Sequence, residues 1–212
     1  MKQTKKYLYI AASLLAAFVL WTVALCHVDV QVIGPRGSAV GFATVNRFFH
    51  NLTGVHMRLY TITDWLGLVP VGFGFGFAIL GLTEWIRRKH FLRVDRNLLV
   101  LGGFYLAVLA VYLLFESVVI NYRPVLINGF LEVSYPSSTT LLVMCVMPTA
   151  ILQLRGRIHN KLLRKCVIWA IAGFIWFMVI GRLLSGVHWL TDIIGGALLS
   201  GSLVMAYAAL SE

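Results

Sequence analysis

A chain of 212 residues that is 59% hydrophobic and only 12% charged, with a mean hydropathy of +0.85, carries more apolar surface than one soluble core can bury. Lipid must solvate most of it, which excludes a soluble globular protein. The net charge of +10 would suit a nucleic-acid binder in a soluble protein, but its distribution here reads as membrane topology, so no nucleic-acid partner is expected.

The apolar residues fall into six charge-free runs, at 7–28, 65–83, 97–115, 133–154, 166–181 and 193–211. About 20 helical residues span a bilayer, so these predict an all-α polytopic membrane protein of six transmembrane helices in one domain, residues 1–212. The first run follows Lys2, Lys5 and Lys6 and resembles a signal peptide. It is too long for most such apolar regions, five further spans follow it, and Leu25 before Cys26 fits a lipoprotein cleavage site poorly, so it reads as an uncleaved helix. Between runs one and two, a turn signal at residues 33–38 precedes Val40, Phe42, Ala43, Val45, Phe48 and Phe49, set around Asn46, Arg47 and His50. This predicts a short amphipathic outer helix, which either flanks a lipid entrance or caps the bundle. Glycines crowd span two (Gly67, Gly72, Gly74, Gly76, Gly81) and recur in span six (Gly195, Gly196, Gly201), as close helix packing would require. The fifth run is short, but Leu183 and Leu184 extend it and Arg182 can snorkel. Trp65, Trp85 and Trp189 sit at run ends, where indoles prefer the headgroup zone, and are given no other role.

Lys2, Lys5 and Lys6, then Arg87, Arg88, Lys89, Arg93 and Arg96, then Arg155, Arg157, Lys161, Arg164 and Lys165 all fall on one side of this scheme. They are 13 of the 18 basic residues, and the positive-inside rule places them in the cytoplasm with both termini. Segments 26–64, 116–137 and 182–192 are then outside. Cys26, Cys145 and Cys166 have no metal-ligand or disulfide spacing, and no metal or other cofactor is expected.

Chemistry-bearing residues gather in the second and third outer segments. His188 and Asp192 stand four apart, on one helical face, where a carboxylate can orient an imidazole as nucleophile or base; such a pair also occurs as a plain interfacial hydrogen bond. Arg123 and Arg182 end apolar runs on the same side, beside residues 136–139 (Pro-Ser-Ser-Thr) leading into a helix. Arginine forks and a helix N-terminus together are the chemistry of an anion site.

With these residues in place, the sequence resembles the type-2 phosphatidic acid phosphatases, membrane relatives of the vanadium haloperoxidases. Their signature runs K-x-x-x-x-x-x-R-P, then P-S-G-H, then S-R-x-x-x-x-x-H-x-x-x-D. Arg182, His188 and Asp192 match the third part with Gly181 in place of serine, Arg123 and Pro124 match the first, and Pro136 and Ser137 the second. The resemblance implies that His188 attacks phosphorus and Asp192 orients it, without a metal. It implies that Arg123, Arg182, Ser137, Ser138 and Thr139 hold the phosphoryl oxygens, the amides at the start of span four included. The implied function is hydrolysis of a lipid phosphate or diphosphate at the outer leaflet of the cell membrane. Polyprenyl diphosphates, phosphatidate and phosphatidylglycerophosphate are the family's usual substrates. Two alternatives use the same residues: a phosphotransferase that passes the group to another lipid or glycan, and a silent lipid-phosphate binder or transporter.

Two positions depart from the signature. Glu116 stands where the family has lysine, and Thr139 where it has the histidine that protonates the leaving oxygen. A threonine hydroxyl is too weak an acid for that task. Glu116 lies seven residues before Arg123 and shares nearly its helical face if the third helix continues so far; it then serves as the acid, or else it is a solvated helix-end carboxylate.

Overall fold

The computed structural model describes residues 2–90 and 93–211. In chain order it contains α1 (Lys2–His27), a two-stranded ribbon of β1 (Gln31–Val32) and β2 (Ala39–Val40), and the short α2 (Ala43–Thr53). Then come α3 (Met57–Leu66), α4 (Leu68–Arg88), α5 (Arg96–Ser117), α6 (Ser138–Arg157), α7 (Lys161–Leu184) and α8 (Leu190–Ser211). Six helical stretches are long and apolar enough to cross a membrane, with α3 and α4 forming one stretch, Met57–Arg88. The predicted fold class and span number therefore hold, and the predicted amphipathic helix is α2.

Local chemistry sets several ends. Asp95, Ser137 and Asn160 occupy the N-caps of α5, α6 and α7, each accepting from a backbone amide two or three residues on. α6 and α8 form the centre: half of their apolar stretch is buried, against 11–22% in the other four spans, whose outer faces are left for lipid. α8 packs against α1 along its length and against α6 on another side. Gly195 and Gly196 permit this approach. A Cβ on Gly195 would stand 2.5 Å from the Tyr135 ring, and one on Gly196 would stand 3.2 Å from Thr140 and 3.3 Å from the Ser137 carbonyl.

The expectation for the glycines of span two is corrected. Among the described residues a Cβ added at Gly72, Gly76 or Gly81 would meet nothing within 4 Å, so close packing does not require glycine at these three positions. The fourth span also starts later than its apolar run, because residues 133–137 are drawn into an extended arm and the helix begins only at its cap, Ser137. Trp189, expected at the headgroups, is buried; its indole N–H donates to the Tyr122 carbonyl at 2.8 Å. α2 turns Val45, Phe48 and Leu52 outward and buries Asn46. Asn46 donates to the Gly41 carbonyl (2.8 Å) and Thr191 Oγ1 (3.0 Å), which ties α2 to the start of α8.

Candidate active site

The site forms at one end of the bundle from four pieces of chain. The first is a hairpin between α5 and α6. Asn128 and Gly129 both have positive φ (50° and 82°), flanked by the Ile127–Phe130 pair, whose two backbone hydrogen bonds measure 3.0 and 2.9 Å. An Asn-Gly pair with this geometry is the two-residue turn that matches strand twist. The arms stay in register through Tyr122 opposite Val133, with Arg123 N–H donating to the Glu132 carbonyl (3.0 Å) and Ser134 N–H to that of Asn121 (2.9 Å). Side chains alternate along such arms, so Asn121, Arg123, Glu132 and Ser134 share one face, toward the site.

The second piece is the turn from α7 into α8. Gly186, at φ 69°, has its Cα so close to the Gly54 carbonyl that a Cβ would fall 1.9 Å from that oxygen. Here His188 and Asp192 are brought together, both buried, as expected. Their contact is indirect. His188 Nδ1 lies 3.8 Å from Asp192 Oδ2, whereas Ser134 Oγ stands between them, 3.0 Å from Nδ1 and 2.5 Å from Oδ2. Asp192 Oδ2 also accepts from the Trp189 amide (2.9 Å), and Asn121 Nδ2 reaches Oδ1 at 3.4 Å.

On its other side His188 faces the arginines. Arg182 is 1% exposed and its Nη2 lies 3.5 Å from His188 Nε2. Burial first, then the positive charges of Arg123 and Arg182, hold the His188 imidazole well below the usual histidine range, so it is neutral near pH 7. Arg182 Nε and Arg123 Nη1 are buried without a hydrogen-bond acceptor, and Arg123 Nε meets only the Glu132 carboxylate, at ion-pair distance but without hydrogen-bond alignment. Unsatisfied guanidinium donors beside a neutral imidazole define a place for an anion.

The third piece is α3, which the sequence marks only as part of an outer segment. Tyr60 places its ring beneath both guanidiniums, 5.0 Å from Arg182 Cζ and 5.7 Å from Arg123 Cζ. Thr63 Oγ1 and Asp64 Oδ1 each lie 3.5 Å from Arg182 Nη1. The spacing of Tyr60, Thr63 and Asp64 is that of one helical face, which is the signal the sequence offers for them. Arg123 has its own carboxylate, Glu132, with Nε and Oε2 3.2 Å apart. The Asn128-Gly129 pair is the signal for the hairpin that brings in Asn121, Glu132 and Ser134.

The fourth piece is the start of α6. Ser137 has a different task from the one expected: its N–H donates to the Asp192 carbonyl (3.1 Å), and its Oγ accepts from the Thr140 hydroxyl (3.0 Å) and amide (3.5 Å). It fastens α6 to α8. Ser138 and Thr139, in the first turn, retain first-turn amides with no intrahelical partner. Glu116 does not share a helical face with Arg123, because α5 ends at Ser117 and Arg123 belongs to the hairpin. Glu116 is exposed and lines a crevice of about 10 Å³ with Tyr112, Ser134 and Ser138. Gly181, which replaces the family serine, is accounted for: a Cβ there would meet Thr63 Cγ2 at 2.8 Å. Among the described residues no group of three or more His, Cys, Asp or Glu side chains is arranged to hold a metal ion.

The helical bundle thus presents a buried His-Ser-Asp chain to two arginines that keep unpaired donors. Residues 116–212 match the PAP2 superfamily. The fold is similar to that of a transmembrane PAP2-type phosphatidylglycerolphosphate phosphatase from Bacillus subtilis, with a TM-score of 0.61, 20% identity and 94% of each chain covered. No curated protein sequence matches the chain.

Proposed function

We propose that the protein hydrolyses a lipid phosphate or diphosphate through a phosphohistidine on His188, without a metal. The observation that carries this reading is the environment of His188: one ring nitrogen engaged by Ser134, the other turned toward Arg182. Asp192, as a carboxylate, only accepts, so the single Ser134 proton goes to it and Nδ1 must be the nitrogen that donates to Ser134. Nε2 then keeps its lone pair for phosphorus.

In the proposed reaction the phosphoryl oxygens lie among Arg123, Arg182 and the Ser138 and Thr139 amides, which meet charge developing on the equatorial oxygens. The Nε2–P bond forms as the bond from phosphorus to the lipid oxygen breaks, and the leaving oxygen takes its electron pair. A phosphate monoester, released from a lipid diphosphate, departs without a proton; a lipid alkoxide takes one from water in place of the acid that Thr139 cannot supply. Water then attacks the phosphohistidine, giving inorganic phosphate and restoring neutral His188. The phosphatidylglycerolphosphate activity in the name of the Bacillus subtilis protein supports a lipid phosphate as substrate class.

The outer leaflet is the proposed location. The site lies at the end of the bundle opposite the basic connections around Arg88 and Arg157, which the positive-inside rule assigns to the cytoplasm. The test is phosphate release by the purified protein from a panel of lipid monophosphates and diphosphates, in EDTA, with His188→Ala as control. Release that requires His188 and survives chelation is expected. Equal release by the variant would overturn the mechanism.

A further inference from the structure

We infer that Ser134 is a positioning residue of this site, the hydrogen-bonded link through which Asp192 sets the proton and orientation of His188. Family resemblance assigns that task to the aspartate acting directly. Here the direct distance is 3.8 Å, beyond hydrogen-bond range. The two bonds through Ser134 Oγ are 3.0 and 2.5 Å.

Asp192 is also saturated in a way that keeps it from closing on the imidazole. Its Oδ2 accepts from the Trp189 amide at 2.9 Å as well as from Ser134, and its Oδ1 faces Asn121. The Trp189 amide lies in the same turn as His188, so this bond fixes the carboxylate relative to the backbone that carries the imidazole. Ser134 is itself fixed. It is 2% exposed, and its N–H donates to the Asn121 carbonyl within the hairpin. The register that places Arg123 against the phosphate site therefore also places the serine hydroxyl between histidine and aspartate.

The consequence for the reaction rests on the phosphatase reading above. As Nε2 bonds to phosphorus and the lipid oxygen departs with its electron pair, the ring becomes a cation that retains its Nδ1 proton. That proton points at Ser134 Oγ, whose own proton points at the Asp192 carboxylate. Negative charge thus reaches the imidazolium through one hydroxyl, and no net proton transfer is required. When water cleaves the N–P bond, the same chain returns His188 to the Nδ1–H form. Removing the hydroxyl leaves Nδ1 without a partner, and the ring can rotate or take the other tautomer.

The experiment uses full-length protein in detergent micelles, wild type against Ser134→Ala and Ser134→Thr, with dioctanoyl phosphatidate as substrate and nitrogen-15-histidine NMR on the same samples. Ser134→Ala is expected to lower kcat by about 10²-fold with KM within about threefold, and Ser134→Thr, which keeps the hydroxyl, to recover at least about a tenth of wild-type kcat. In the spectra a protected, downfield Nδ1–H signal of His188 is expected in wild type and Ser134→Thr and is lost in Ser134→Ala. A Ser134→Ala enzyme with unchanged kcat and the same signal would overturn the inference, as would wild-type His188 protonated on Nε2. The spectra need no turnover. A wild-type protein that releases no phosphate would refute the phosphatase reading, while the signal would still decide the link through Ser134.

Discussion

The two ends of the bundle treat arginine in opposite ways. At the end formed by the α4–α5 and α6–α7 connections, Arg157 donates to Gln153 and pairs with Asp95 at 3.2 Å, with both side chains about a third exposed. Asp95 also caps α5, so the ion pair is part of how the helices end. At the other end Arg182 is almost wholly buried, and it and Arg123 keep donors with no acceptor. At the first end the donors are satisfied and wet; at the second both guanidiniums have a carboxylate neighbour, but they are buried and their hydrogen-bond set is incomplete. Incompleteness is costly to hold in a fold, and it marks the end where a ligand would finish the hydrogen-bond set.

The largest test of that contrast exchanges the two arginines' fates. Arg182→Ala should reduce phosphate release by about 10²- to 10³-fold, and Arg182→Lys should recover only part, since an ammonium lacks the planar fork. Arg157→Ala should leave activity within about twofold and lower Tm by no more than about 4 °C, as fits a part-exposed pair. Equal losses at both ends, measured by the same phosphate-release assay, would break the comparison.

A second test stays at the buried end. Asp192→Asn preserves the shape of the carboxylate but can offer Ser134 an N–H instead of an acceptor, so kcat should fall by about 10²- to 10⁴-fold in a protein that still folds. Steady-state kinetics beside a thermal melt checks it. A variant with near wild-type kcat would mean the His188–Ser134–Asp192 chain is idle.

The pH dependence sharpens the contrast further. Burial and the two arginines lower the His188 pKa, so the native imidazole stays neutral below the ordinary histidine value of 6.5. The acid limb of kcat/KM, which reports the free enzyme, should therefore lie below pH 6.5. For stability, the unfolded chain binds a proton at His188 that the native state refuses. This part of the stability is full above pH 6.5 and declines as pH falls from there toward the native pKa. A pH–rate profile, paired with denaturation at about pH 7.5 and about pH 5.5, measures both. Activity that halves already near pH 7 would contradict the buried neutral imidazole.

The smallest expected effect concerns the packing under Arg182. Gly181→Ser would drive a Cβ against the Thr63 methyl and, as an overpacked site, should cost about 1–3 kcal/mol, seen as a lower Tm and a few-fold loss of activity. Adding Thr63→Ser removes that methyl and keeps the hydroxyl near Arg182, so the double variant should recover most of both. Failure of that rescue would show that the α3–α7 contact is not why glycine stands there.

Legibility in the sequence also differs between membrane and site. The six spans are legible because apolar runs of about 20 residues admit one solution in lipid, and the basic residues sort to one end. His188, Asp192, Arg123 and Arg182 are legible because their spacing matches a family signature. Tyr60, Thr63 and Asp64 are not, since α3 meets Arg182 across more than 110 residues of chain and no periodicity encodes that contact. Ser134 falls in the sequence where the second outer segment meets an apolar run, with no role attached, because its partners are fixed by a hairpin that hydropathy does not mark. Glu116 is open to two readings in the sequence for the same reason. Of its two alternatives the exposed helix-end carboxylate is the one seen, because α5 stops at Ser117 and the chain reaches Arg123 through the hairpin.

His188 Nε2 bonding to phosphorus is the step on which the rest depends. Wild-type protein mixed with a radiolabelled lipid phosphate and quenched within one turnover should carry an acid-labile, base-stable phosphoryl group, located by mass spectrometry on His188 and absent from His188→Ala. Turnover by His188→Ala at the wild-type rate, with no label trapped on the wild type, would contradict the account.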